Sequence, residues 1–205
     1  MSLDLKKTLK YLYAPSEKEV SIVNVPPLNY LMIEGEGNPT TQLYQESVQA
    51  LYTLAYGVRG IRKAAGEVFT VMPLEGLWMI KDQTEITYSL TQADKDNFIW
   101  TLMILQPESV TAEVVEQARS NAQMKQDAPS RLMDVRFEQY HEGESVQLMH
   151  RGSYAEEGPT VKRLHDYIHE NGFKLGKDHH EIYLSDPRKV SAPRMKTIIR
   201  QPFTR

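Results

Sequence analysis

The stretch His179–Pro202, "HHEIYLSDPRKVSAPRMKTIIRQP", reads as two strands joined by a polar, proline-punctuated connection. Alternation sorts the first strand: His179, Glu181 and Tyr183 share one face, and His180, Ile182 and Leu184 share the other. The wording of both strands returns from earlier in the chain. "IIRQP" (Ile198–Pro202) resembles "MILQP" (Met103–Pro107), and "IYL" (Ile182–Leu184) resembles "LWM" (Leu77–Met79). The chain therefore reads as a duplication, and the two histidines, carboxylate and tyrosine of the quoted stretch mark a metal site, a catalytic dyad or the wall of a pocket.

Each half predicts the same order of elements. In the first, Tyr30–Ile33 form a strand that runs into a Gly-rich turn closed by Pro39. A helix follows, with Leu43, Leu51, Leu54, Val58 and Ile61 at helical spacing and Tyr44, Val48 and Ala55 widening the stripe. Thr40 or Thr41 can cap its start and Gly66 can end it. Two strands complete the half, "EVFTVMPLEGLWMIKD" and, after a polar loop, "NFIWTLMILQP". In the second half "ESVQLMHRGSY" is strand-like. "EEGPTVKRLHDYIHENG" is a helix with Pro159 in its first turn, Val161, Leu164 and Ile168 on one face, and Gly172 past its end. The two strands of the quoted stretch close it. Between the halves, "SVTAEVVEQARSNAQMKQDAP" predicts a linker helix with Thr111 as a possible cap.

The expected fold is α+β: tandem strand-helix-strand-strand modules, about 20–107 and about 131–205, with the linker at about 109–130, in one domain over 1–205. One such module exposes sheet edges and a half-covered helix. Two would pair about a pseudo-twofold axis into one antiparallel sheet with both helices on one face and a ligand groove on the other.

Composition narrows the function classes. A formal net charge of -3 and a pI of about 6.1 leave no basic footprint for nucleic acid. The absence of cysteine excludes disulfides, thiolate metal sites and a cysteine nucleophile. No apolar run approaches the roughly 20 residues of a membrane span, and no signal-peptide core opens the chain, so the expectation is a cytoplasmic protein without a membrane partner.

Alternation in "PLEGLWMI" assigns Leu77 and Met79 to the helix-covered core and Leu74, Gly76 and Trp78 to the open face with Glu181 and Tyr183. Under the repeat, Trp78 and Tyr183 are counterparts facing each other across the seam, and Glu181 matches Gly76. One carboxylate in an aromatic-walled groove is a receptor for a planar apolar or cationic molecule. The alternative is that Trp78 is core and Glu181 a surface charge. Trp100, in a strand apolar on both faces, fits groove or core equally. A metal site fits badly, because His179 and His180 diverge across a strand and His141, His150, His165 and His169 form no ligand spacing. No cofactor motif is present: "EGEGNP" lacks the lysine and helix of a phosphate loop.

The strings "VMPLEGLW", "WTLMILQP", "SVQLMHRGSY", "HHEIYLSDP" and "KTIIRQP", with "GEGNP" upstream, resemble the gyrase-inhibitor-like (GyrI-like) small-molecule-binding domain family, over about Leu5 to Pro202. The resemblance is to its standalone bacterial branch of roughly 200 residues. It implies the duplicated fold, with the carboxylate at Glu181 on the groove floor binding drug-like, often cationic, ligands. It also implies that the chain is similar to hydrolases that open the cyclopropane of DNA-alkylating antibiotics and so detoxify them. Glu181 and Tyr183 are then the catalytic candidates, with Trp78, Trp100, His150, Tyr154, Leu74 and Gly76 as further ligand-binding candidates. In that reading Trp78 stacks the ligand, Glu181 orients or deprotonates water, and Tyr183 or His150 donates toward the oxyanion. Ser153, in "HRGSYAEE" where a "G-P-Y" form is usual, predicts a looser turn before Tyr154. Two other readings stand beside the enzyme: a non-catalytic module that sequesters or senses drugs, and a protein that inhibits a topoisomerase by contact. The natural ligand and the oligomeric state are open.

Overall fold

A computed structural model describes residues 2–81, 92–176 and 178–205. Two short helices, α1 (Leu5–Thr8) and α2 (Lys10–Tyr13), lead into β1 (Ser21–Val25) and β2 (Leu28–Glu36). Then come α3 (Gln42–Ala64), β3 (Glu75–Ile80), α4 (Gln92–Asp96), β4 (Phe98–Leu105) and α5 (Ala112–Gln123). The second half runs β5 (Arg136–Tyr140), β6 (Gly143–Arg151), α6 (Gly158–Glu170), β7 (Lys174–Leu175), β8 (His179–Tyr183) and β9 (Lys196–Thr204). Most of the polar loop expected between β3 and β4 lies outside the described residues.

The sheet order is β1-β6-β9-β8-β3-β4-β2-β5, with β7 beside β9, and every pairing is antiparallel. It reads the same from either end: β8 and β3 meet at the centre, flanked by β9 and β4, then β6 and β2, then β1 and β5. This is the duplicated architecture, with one exchange. β1 precedes β2 in the chain but pairs with β6 of the second module, while β5 precedes β6 but pairs with β2. Each module thus covers the other's outer strand, which leaves shorter edges open to misassociation.

The repeated strings and the ladders differ by two residues. Met103 pairs with Glu75, whereas its counterpart Ile198 pairs with Ile182, the counterpart of Leu77. An even slip preserves the sorting of side chains between faces.

The helices start and stop where their chemistry directs. The Thr41 hydroxyl caps α3 by accepting from the Tyr44 N–H, while the Thr40 hydroxyl is bonded to Asn38. Gly66, past its end, has φ +89. Ser47, Ala50, Leu51, Leu54, Ala55 and Val58 form the buried stripe, but Leu43, expected on it, is exposed because it precedes the first contact with the sheet. α6 buries Val161, Leu164 and Ile168 against Val146, Leu148 and Ile199. α5 packs on α3, with Ala118 against Gly57.

Paired residues of antiparallel strands project to the same side, so the registers divide the sheet. One face carries Trp78, Trp100, Gly76, Leu102, Glu181, Tyr183, Thr197, Ile199 and Leu148. Both long helices lie on it: α6 through Ile199 and Leu148, and α3 through Tyr44, which stacks on Trp78. The partition read from alternation holds, but the side does not. Glu181, Tyr183, Gly76 and Trp78 lie on the helix face, in the gap between α3 and α6, and not on the face opposite the helices. Leu77 and Ile182, expected under the helices, lie opposite.

That opposite face holds a buried charge cluster. His180 places Nε2 at 3.1 Å from Glu75 and Nδ1 at 3.0 Å from Glu142, and Arg200 donates to Glu142 at 3.0 Å. The N-terminal arm closes over it. The Tyr13 hydroxyl donates to Glu75 at 2.7 Å, and Arg200 donates to the Leu12 carbonyl at 2.8 Å. Burial disfavours the charged form of His180, but the Glu142 carboxylate and the bonds to Glu142 and Glu75 outweigh it and push the imidazole up to about 9. Burial likewise opposes ionisation of Glu142, but His180 and Arg200 outweigh it and hold the carboxyl at about 2.

The signs of these shifts predict a pH profile. His180 is raised, so its contribution is full below its ordinary 6.5 and is lost as pH rises through about 9. Glu142 is lowered, so its contribution is full above its ordinary 4.5 and is lost as pH falls toward about 2. Thermal melting followed by fluorescence should show Tm falling as pH rises from about 6.5 to 9, and falling again as pH drops below about 4.5. A Tm that rises between pH 6.5 and 9 would contradict the charged state of His180.

Candidate functional site

The site is built at the seam where β3 and β8 pair, roofed on either side by the first turns of α3 and α6. Gly76 faces Glu181 and Trp78 faces His179 across the ladder. The Trp78 indole N–H donates to the Tyr183 hydroxyl at 2.9 Å, joining the two modules through the pair that the repeat makes counterparts. Gly76 permits this bond: a Cβ there would lie 2.7 Å from Trp78 Nε1 and 3.2 Å from the Tyr183 hydroxyl. The Tyr44 ring stacks on Trp78 at 6.0 Å and 25°, Phe98 meets Trp78 edge-on at 5.2 Å, and Tyr154 meets Tyr183 edge-on at 5.5 Å. Tyr154 is 40% exposed and so forms the outer wall.

Glu181 is the charge at the centre. Its side chain keeps 17% exposure, and His179 Nε2 lies 3.2 Å from its Oε1. Facing it is Glu157, at the start of α6, which sequence reasoning missed. Glu157 is 6% exposed, and its Oε1 is buried without a hydrogen-bond partner. Burial first, and then the Glu181 charge and a hydrogen bond between the two carboxyls, push the Glu157 carboxyl far above the carboxylate range. Burial and the facing carboxyl thus favour the protonated form of Glu157. Burial followed by the charge of Glu181 also raises the Tyr183 and Tyr44 hydroxyls. Tyr154 is pushed up to about 12 by burial and then by Glu157 and Glu181. All three stay neutral donors at physiological pH.

The other expected residues divide. Leu74 is buried, and its carbonyl accepts from the Tyr183 N–H at 3.0 Å, so it holds the strand and offers little surface. Trp100 is core: it is 1% exposed, lies over Gly35 and under Tyr44, and donates to the Gly37 carbonyl at 3.1 Å. His150 is buried with Nδ1 at 3.0 Å from the Thr160 hydroxyl and Nε2 at 3.1 Å from the Ser153 carbonyl. Both ring nitrogens are committed, so His150 positions the start of α6 and is not a donor to ligand. The turn after it is not loose. Ser153 and Glu156 form a capping box, with Glu156 accepting from the Ser153 N–H at 2.9 Å and its hydroxyl at 2.7 Å, and this fixes Tyr154 and Glu157.

His179 and His180 diverge as alternation requires, to Glu181 on one face and to Glu75 and Glu142 on the other. Among the described residues no group of three or more His, Asp or Glu is placed to hold a metal ion, and no helix is long and apolar enough to cross a membrane. A concavity of about 240 Å³ lies on the opposite face, lined by Met32, Leu77, Met79, Thr101, Arg136 and Tyr140. Among its described lining residues, Arg136 is paired with Glu34 and Glu138.

A duplicated antiparallel sheet whose paired helices flank an aromatic, carboxyl-bearing cleft defines a small-molecule-binding domain. The chain belongs to the family of the GyrI-like small molecule binding domain, whose model matches residues 18–202. Among solved structures it is similar to an uncharacterized conserved protein from Listeria innocua, at 36% identity over 99% of this chain and 100% of that one, with a TM-score of 0.90. It is also similar to a hydrolase from Listeria innocua, at 35% identity over 100% of both chains, with a TM-score of 0.87. The EcmrR C-terminal domain shares the fold alone, at 11% identity over 91% of this chain and 98% of that one, with a TM-score of 0.58. No curated protein matches the chain.

Proposed function

We propose that the cleft between α3 and α6 binds planar hydrophobic or cationic aromatic molecules and hydrolyses an electrophilic strained ring in them, such as the cyclopropane of a DNA-alkylating cyclopropanoid, so protecting the cell. The observation that carries this reading is the opposition of two carboxyls, Glu181 and the buried Glu157, beneath an aromatic wall of Trp78, Tyr183, Tyr44 and Tyr154. Such a pair is expensive to bury for structure alone. Similarity to a hydrolase over the whole chain supports the catalytic part.

The chemistry asks for positioning and one proton path. With the planar ligand on the aromatic wall, a water beside Glu181 attacks the ring methylene. A C–O bond forms, the ring C–C bond breaks, and its electron pair passes through the conjugated dienone to its oxygen, giving a phenolate. Glu181 takes a proton from the water, and the neutral Tyr183 hydroxyl stabilises the oxyanion. The net change is addition of one water. Incubating the purified protein with a cyclopropane-bearing alkylator and following the product by mass spectrometry should reveal the water adduct at a rate well above that without protein. Tight binding with no adduct above background would reduce the function to sequestration.

A further inference from the structure

We infer that Glu157 sets ligand specificity as a proton exchanger: it keeps its proton when a neutral molecule occupies the cleft and releases it when the occupant carries a positive charge. The inference rests on the binding part of the proposed function and is independent of catalysis.

Glu157, the cap of α6, and Glu181, on β8, come from different elements and interact with each other and with Tyr183. Glu181 retains access to solvent while Glu157 is 6% exposed with an unpartnered buried oxygen. The groups facing the pair are few. β8 supplies Tyr183 and His179, the turn before α6 supplies Tyr154, α3 supplies Tyr44, and β9 supplies the Thr197 hydroxyl. Beyond them Asp186 adds negative potential at Tyr154, and His150 is bonded to Ser153 and Thr160. Among the described residues no Lys or Arg forms an ion pair with either carboxyl. The counter-charge for a second ionisation is thus missing from the protein. A proton supplies it in the empty or neutrally occupied cleft, and a ligand cation placed on the aromatic wall can supply it instead. Exchange of one for the other lets a single cleft accept both classes at the same net charge.

The test is isothermal titration calorimetry of the full chain at pH 8 in two buffers of different ionisation enthalpy. The probes are N-methylacridinium, a planar permanent cation, and acridine, its neutral counterpart at that pH. The wild type should release about one proton per bound N-methylacridinium and close to none with acridine, and cation affinity should rise up to about tenfold per pH unit between pH 6 and 9. Glu157→Gln should bind both probes with no proton release and a flat pH dependence. Cation binding by the wild type without proton release overturns the inference and leaves the binding reading intact, as does undiminished release in Glu157→Gln. Failure of both probes to bind overturns the binding reading and the inference with it.

Discussion

Glu181→Gln is expected to weaken binding of cationic aromatic ligands, and any ring hydrolysis, by at least tenfold, about 1.4 kcal/mol, while the protein stays folded. The substitution keeps shape and removes a carboxylate from the centre of the cleft. Folding should be unchanged or slightly improved, because Glu157 is then relieved of a facing charge. An amide can still take the hydrogen bond from His179 Nε2. Fluorescence titration and turnover measured on the same preparation check this. Binding and turnover equal to wild type would remove Glu181 from the site. The natural companion, Trp78→Ala, is a poorer probe than it looks, since Trp78 is 5% exposed and packed on Tyr44 and Phe98. Truncation there costs about 3–5 kcal/mol of stability. Trp78→Phe keeps a ring and deletes the N–H that fixes Tyr183, so it tests the wall without emptying the core.

The largest stability effect is expected on the opposite face. Glu142→Ala should destabilise the protein by about 3–5 kcal/mol, because it leaves His180 and Arg200 buried without their shared carboxylate. The loss should also loosen the N-terminal arm, which Arg200 holds through the Leu12 carbonyl and Glu75 holds through Tyr13. The exposed pair Arg205–Glu144 is the control: Glu144→Ala should leave stability close to that of the wild type. Urea unfolding of the two variants compares them directly. Equal costs would mean that the buried cluster contributes no more than a surface pair.

Much of this fold is legible in the sequence because duplication and strand alternation are local signals. "IIRQP" against "MILQP" announces the repeat, and alternation alone places Glu181, Tyr183, Gly76 and Trp78 on one face. Alternation sorts residues into two sets without saying which set the helices cover. β4 is apolar on both faces and β3 buries residues on both, so hydrophobicity could not decide. The exchange of β1 and β5 between modules is a long-range choice with no local mark. Glu157 stayed hidden because an acidic residue at a helix start ordinarily means a favourable interaction with the helix dipole. One signal was there to be used: Glu75 in "PLEGLW" and Arg200 in "TIIRQP" are charges inside apolar strands, and a buried network is their usual reason.

The central claim is that ligand chemistry belongs to the cleft between α3 and α6. A crystal structure of the protein with a bound planar aromatic cation tests it most directly. The cation should lie against Trp78, Tyr183 and Tyr154 with its charge toward Glu181 and Glu157. A ligand seated instead on the opposite face, among Leu77, Met79, Thr101 and Tyr140, would contradict it.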